Sequence, residues 1–282
     1  MAPRPRQLIL RLLLGAGGAP LAVRDAARAC ALFAIPANGV RVALVRLAAA
    51  GLVEPVGRGA YRLGPNASTL AADVAAWRDA NARTRDWSGS WIAVHVGALG
   101  RSNRVALRAR VRALDLLGLH ELDRGLHVRP DNLVGGVAAV RQRLTRLGLE
   151  RGAAVFQAAG FDADRERRAR SLWNGTALAR GYRATRARLE RWLADADRHE
   201  LDAAARESFL LGNEAIRQLV FDPLLPRPLI DEEARAAFVD TVIRFDAAGQ
   251  AIWKYFLHGD AVTRRAPTPR RATTRTALEA HR

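Results

Sequence analysis

The chain has one cysteine, Cys30, and one lysine, Lys254, among its 282 residues. A lone cysteine excludes an internal disulfide and any multi-cysteine metal site, so Cys30 is expected to pack as a small apolar residue on a helix. No apolar run approaches the length of a membrane span, and Met1 to Gln7, rich in Pro and Arg, carry no signal-peptide pattern. The expected location is the cytoplasm, at the nucleoid. Because arginine stands in for lysine almost everywhere, part of the basic character reflects compositional bias. The distribution of charge is therefore more informative than its total of +17.

That distribution is uneven. Residues 1–65 carry nine Arg against two acids, residues 66–86 balance, and residues 87–160 carry eleven Arg against five acids. Residues 161–258 hold sixteen basic and sixteen acidic residues, and the stretch from Gly259 adds six Arg against two acids. Positive charge thus sits where a polyanion would be held, and the neutral third segment reads as a packing or assembly module.

The most informative stretch is Ile35 to Pro65. In Ala37 to Ala50 the apolar residues Val40, Ala43, Leu44 and Leu47 follow the i, i+3, i+4, i+7 spacing of a helix with one buried face. Pro36 stands at the entrance, where its missing N–H costs nothing, and Gly51 ends the helix. Leu52, Val53 and Val56, a turn at Gly57-Arg58-Gly59, and Tyr61 to Leu63 fit a short hairpin. Asn38, Val42 and Val45 lie opposite the buried face, with Arg41 and Arg46 to either side. Arg and Asn match guanine and adenine edges, and flanking Arg also grips phosphates. Arg58, at the hairpin tip, is placed to meet the DNA backbone or minor groove.

Two helices precede this unit, Leu8 to Leu14 and Leu21 to Phe33, the second with Val23, Ala27, Cys30 and Ala31 at helical spacing. The glycines between them make no dinucleotide loop, since no strand precedes them and Pro20 takes the place of the third glycine. Helix, helix, recognition helix and hairpin make a winged helix-turn-helix. After it, Leu70 to Arg83 reads as a linking helix with Val74 and Trp77 as a docking stripe.

Trp91 to Val96 then reads as a strand, alternating Ile92, Val94 and Val96 with Trp91, Ala93 and His95. Helices over Asn103 to Leu117 and Val134 to Leu147, and short strands at His120 to Leu122, Leu126 to Val128 and Ala154 to Gln157, complete a β-α-β-β-α-β order. That order is ferredoxin-like. The third segment carries three helical stripes: Leu178, Tyr182, Thr185, Leu189 and Trp192; Phe209, Ile216, Leu219 and Val220; and, after an acidic start at Asp231, Ala234, Phe238, Phe245, Ile252 and Phe256. Three such stripes offer more apolar surface than a small bundle needs, which predicts a two-fold interface.

The expected fold is α+β and multidomain. It comprises a winged helix-turn-helix DNA-binding domain over 1–65, a linking helix over 66–86, a ferredoxin-like α/β module over 87–160, a helical C-terminal domain over 161–258 and a disordered basic tail over 259–282.

This arrangement resembles the PaaX-like family of bacterial transcriptional repressors, of the type that controls phenylacetate catabolism. The resemblance is carried by Ile35 to Leu47, Gly51-Leu-Val53 with Tyr61-Arg-Leu63, Trp87-Ser-Gly-Ser-Trp91, Leu114-Asp-Leu-Leu-Gly118, Gly181-Tyr182-Arg183 and Phe221-Asp-Pro-Leu-Leu-Pro226. They run in family order over nearly the whole chain before the tail. The resemblance implies a homodimeric repressor, bound to a double-stranded operator and released by an acyl- or aryl-CoA. Val42 and Val45 replace the small polar residues usual on the recognition helix, so the operator need not be the family's. A CoA thioester brings several negative charges, and Arg104, Arg108 and Arg112 recur every fourth residue on one helix beside Leu107, Val111 and Leu114. They are the candidate effector residues. An alternative is a DNA-binding architectural or adaptor protein without an effector.

An enzyme is not expected. The middle module is similar in shape to small CRISPR-associated nucleases, which hold a metal on an aspartate at the end of the first strand. Here that strand ends His95-Val96-Gly97. His95, His120 and His127 lack metal-ligand spacing, and no Gly-x-Ser-x-Gly or His-Glu-x-x-His occurs. No catalytic residue, metal or cofactor is expected.

Overall fold

The computed structural model of the chain describes residues 3–67, 77–100 and 102–259. Among them are nine α-helices and two small antiparallel sheets, so the fold class is α+β.

Helix α1 (Pro5–Gly15) starts three residues before its expected beginning, because Pro5 fits the first turn without an N–H to lose. Leu21 and Ala22, predicted to be helical, form strand β1 (Leu21–Ala22), and helix α2 (Val23–Ala31) follows. The cause lies across the sheet. Helix α3 (Ala37–Ala49) leads into strands β2 (Val53–Pro55) and β3 (Ala60–Leu63), and the free edge of β3 pairs Tyr61 with Leu21 and Ala60 with Ala22. The order is β1-β3-β2. Helix α2 buries Ala26, Ala29 and Cys30, while Val23 and Ala27 are half-buried and Ala31 is exposed.

The linking helix predicted over Leu70 to Arg83 lies largely outside the described residues. Its described end is not α-helical: residues 77–80 turn and Asn81–Arg83 is one 3-10 turn. This seats Trp77 in the core and lets Thr84 bridge to Leu133.

The middle module has the β-α-β-β-α-β order read from the sequence. Strand β4 (Trp91–His95), helix α4 (Arg104–Leu116), strands β5 (His120–Asp123) and β6 (Leu126–Pro130), helix α5 (Gly136–Arg146) and strand β7 (Ala154–Ala158) form a sheet ordered β5-β6-β4-β7. Every neighbouring pair is antiparallel. The predicted alternation along β4 is not what burial shows: Trp91, Ile92, Ala93 and Val94 are all buried. Trp91 stacks on Phe161 and Trp173 and meets Trp87 edge-on, while its Nε1 donates to Glu166 at 3.0 Å. Glu166 belongs to α6 (Ala163–Arg170), a helix not foreseen because its arginines and acids mask any apolar stripe.

The C-terminal domain is helical. Helices α7 (Gly175–Ala194), α8 (Leu201–Val220) and α9 (Glu232–His258) bury most of the predicted stripes against one another, with Tyr182 stacked on Phe238 at 5.6 Å and Trp192 against Phe245 at 5.0 Å. Most of the apolar surface is used within the chain, while Leu210, Phe221 and Ile243 remain 37%, 50% and 39% exposed. The predicted tail, from residue 260 on, lies outside the described residues.

These layers meet at a buried polar junction. Arg129 is 1% exposed, and no carboxylate lies within ion-pairing distance of it among the described residues. It donates from Nη1 to the carbonyl of Leu117 (2.5 Å), from Nε to that of Pro130 (3.1 Å), and from Nη2 to Asn132 Oδ1 (3.0 Å) and the carbonyl of Pro223 (3.2 Å). Asn132 in turn donates to the carbonyl of Leu224 at 2.7 Å, and Arg235 to that of Leu225 at 2.7 Å. Burial pushes the Arg129 guanidinium down to about 9, and the nearby arginines push the same way. Tyr182 donates to the buried carboxyl of Asp222 at 2.5 Å, and burial raises the pKa of that carboxyl. Gly118, at φ +62°, sits where a Cβ would lie 2.6 Å from Pro223, so α4 and the loop approach as only glycine allows.

Arg129→Met would strand three buried carbonyls. With each unsatisfied acceptor costing about 1–3 kcal/mol, the variant is expected to lose about 3 kcal/mol or more in urea denaturation. Exposed Arg124 serves as the control, and Arg124→Gln should leave the midpoint unchanged.

Candidate nucleic-acid interface

Helix α3 is held from behind by Val40, Ala43, Leu44 and Leu47, all at 4% exposure or less. Asn38, Arg41, Val42, Val45 and Arg46 are exposed on the other side, as their spacing requires. Val45 is 65% exposed and Val42 42%, an unusual state for two valines on a helix that has a core available. Arg58 is exposed at the β2–β3 turn. Among the described residues Arg41, Arg46 and Arg58 have no carboxylate partner.

Several arginines of the C-terminal part are placed differently. Arg165 and Arg168 pair with Asp123, Arg170 with Glu166, Arg183 with Asp231, and Arg188 with Glu214. Those charges are neutralised within the chain. The charges on α3 and the hairpin turn remain open to an external anion, such as phosphate.

The turn between α2 and α3 fixes how α3 is presented. The N–H of Ile35 donates to the carbonyl of Cys30 (3.1 Å) and that of Ala34 to Ala31 (3.0 Å), which is a Schellman cap. The same pair of bonds closes α3 at Gly51, α4 at Gly118 and α5 at Gly148. In the α2–α3 turn alone the left-handed position is held by a residue with a Cβ, Ala34 at φ +55°. Phe33, one residue earlier, meets Phe209 of α8 edge-on at 5.4 Å, and Arg28 of α2 lies 4.4 Å over the ring of Phe256 in α9. The N-terminal unit is thereby docked on the C-terminal helices.

The candidate effector residues Arg104, Arg108 and Arg112 are exposed on α4, also without carboxylate partners among the described residues. Leu114 belongs to the core, but Leu107 is half-buried and Val111 is 50% exposed. Arg108 and Arg112 line an open groove of about 360 Å³ with Leu107, Val111, Asp115 and Phe221. Arg104 is not part of it. Phe221, 50% exposed, has no periodic signal to mark it, since it follows the last turn of α8.

His95 and His120 are exposed and His127 is half-buried; partial desolvation lowers the pKa of His120 and of His127. His120 meets Trp173 edge-on at 5.2 Å. Among the described residues no group of three His, Cys, Asp or Glu is arranged to hold a metal ion. Among them, too, no helix is long and apolar enough to cross a membrane.

Residues 173–255 match the family model of the PaaX-like protein C-terminal domain. That stretch is PaaX-like, in agreement with the resemblance drawn from the sequence, and it supports likeness to a family of regulators. A comparison with curated proteins finds no match. Among solved structures, an uncharacterized protein from Mycobacterium tuberculosis, Rv0674, is similar, with a TM-score of 0.54 at 24% identity over 87% of this chain and 98% of that one. That likeness concerns the fold alone.

Ala34→Gly removes the Cβ from the one strained cap. The variant is expected to gain about 1 kcal/mol in thermal or urea unfolding.

Proposed function

We propose that this protein is a sequence-specific double-stranded DNA-binding transcriptional regulator, a repressor of a catabolic operon. In this reading residues 1–65 are a winged helix-turn-helix: α2 and α3 form the helix-turn-helix, β2 and β3 the wing, and α3 enters the major groove. The observation that carries it is the outward face of α3, with two exposed valines between two arginines that lack carboxylate partners among the described residues. Valine methyl groups suit the thymine methyl, Asn38 suits adenine, and Arg41 and Arg46 suit guanine or phosphate. The middle module is ferredoxin-like in this reading, and the helical domain carries the regulator family's C-terminal signature. Homodimerisation and release by an acyl- or aryl-CoA are proposed from the family resemblance. The open arginines Arg104, Arg108 and Arg112 support the effector site.

A sequence-indifferent architectural protein would use Arg41, Arg46 and Arg58 equally well. Exposed Val42 and Val45 favour base reading, because phosphate contacts gain nothing from them.

Fluorescence anisotropy on promoter fragments from beside its own gene, at several salt concentrations, tests the proposal. Asn38→Ala is expected to cost about 1–3 kcal/mol on the preferred site and to relax preference at one base pair. Arg58→Ala should weaken preferred and scrambled DNA alike and lower the salt slope by about one unit. If the parent binds both DNAs equally, the architectural reading replaces this one. If Asn38→Ala matches the parent on both, α3 is not the reader.

A further inference from the structure

A guanidinium has five N–H donors, and the four hydrogen bonds of Arg129 use four of them: one from Nε, one from Nη1 and two from Nη2. The second N–H of Nη1 has no acceptor among the described residues. All four acceptors are neutral. Taking a full charge out of water is unfavourable unless an opposite charge goes with it, so the junction as described leaves a cation unanswered.

The two carboxylates whose charge reaches Arg129 are committed to other groups. Asp131 pairs with Arg85 at 2.9 Å, and Asp222 accepts from the hydroxyl of Tyr182 at 2.5 Å and from the N–H of Leu224 at 2.7 Å. Arg129 also lines a cavity of about 10 Å³, room for one particle the size of a water molecule. Two half-buried arginines, Arg83 from the 3-10 turn and Arg143 from α5, line the same cavity. Asp222 is the one carboxylate on its wall among the described residues.

We infer that this cavity is a binding site for a single small monovalent inorganic anion, of the size of chloride, held by the remaining Nη1 N–H of Arg129 in the positive field of Arg83 and Arg143. Water would fill the volume and accept the N–H, but it brings no charge. Chloride is slightly larger than water, and the half-buried side chains of Arg83 and Arg143 can yield the extra room. Sulfate, phosphate and organic acids are too large, so the site is separate from any metabolite effector. Its wall is shared between the middle module, through Leu117 and Arg143, and the C-terminal part, through Leu219 and Asp222. The ion therefore neutralises the junction on which these two parts pack, and it should stabilise the folded chain. Nothing in this depends on the regulator reading.

Thermal unfolding of the full chain, followed by circular dichroism at constant ionic strength, should compare sodium chloride and sodium bromide with sodium gluconate, whose anion cannot enter the cavity. Raising chloride from zero to about 100 mM in place of gluconate is expected to raise Tm by about 3–5 °C, the shift that matches a tenfold gain in the folding equilibrium. The rise should saturate, with half the effect near about 10 mM. Bromide should act like chloride. Arg83→Gln and Arg143→Gln test the wall, and in at least one of them the chloride-dependent rise should fall by half or more. In Arg124→Gln it should be intact. Arg129→Met should abolish it; if that variant does not fold, the two wall variants decide. Line broadening in the chloride NMR signal reads binding directly and should decrease in the same variants. Equal Tm in chloride and gluconate would overturn the site, because water then suffices for the cavity. A rise that survives undiminished in both Arg83→Gln and Arg143→Gln would overturn it too, because the ion then acts on the protein's basic surface.

Discussion

One guanidinium holds three parts of this molecule together. Arg129 is buried without a counter-charge among the described residues and is satisfied by the carbonyls of Leu117, Pro130 and Pro223 and by Asn132 Oδ1. These acceptors come from the end of α4, the end of β6 and the loop after α8. A buried cation dispersed over carbonyls is costly to assemble and more costly to disturb, since each acceptor needs its donor. The junction therefore fixes the angle between the middle sheet and the C-terminal helices, and it also decides where Phe221 emerges beside α4.

That junction explains why certain short stretches carry the resemblance to the PaaX-like family. Leu114 to Gly118 and Phe221 to Pro226 lie more than a hundred residues apart, yet they meet where Gly118 admits Pro223. Tyr182, from the Gly181-Tyr182-Arg183 stretch, reaches the carboxyl of Asp222, and Arg183 pairs with Asp231. Trp87 and Trp91 bracket the covered face of the middle sheet. The chemistry of each stretch was visible in the sequence, but their partners were not, because nothing in local spacing reports a contact across a domain boundary.

Periodicity served best where one helix face is buried and the other free. The bounds of α3, its outward residues and the β-α-β-β-α-β order were all legible on that principle. It failed where tertiary pairing overrode local preference: Leu21 and Ala22 joined a sheet edge instead of a helix, and β4 was buried on both faces when α6 and its flanking aromatics covered the second. Helix α6 was hidden because its sequence is almost wholly charged or small. The groove on α4 was half legible. Its arginines were evident from spacing, whereas its apolar wall needed Phe221 to arrive from a distant element.

The functional account rests on a division among arginines. In the C-terminal part many of them are spent on the chain's own carboxylates, whereas Arg41 and Arg46 on α3, Arg58 at the hairpin turn and Arg104, Arg108 and Arg112 on α4 are left without a carboxylate partner among the described residues. Docking of Phe33 on Phe209 places the open face of α3 on a rigid base. The central claim, that this face reads DNA sequence, is tested most directly by selecting the full-length protein's binding sites from random duplexes and sequencing the bound pool. The account predicts enrichment of one discrete motif by the parent and a changed motif when Val42 and Val45 are replaced by Ser. A bound pool without any enriched motif, or the same motif from parent and variant, would contradict it.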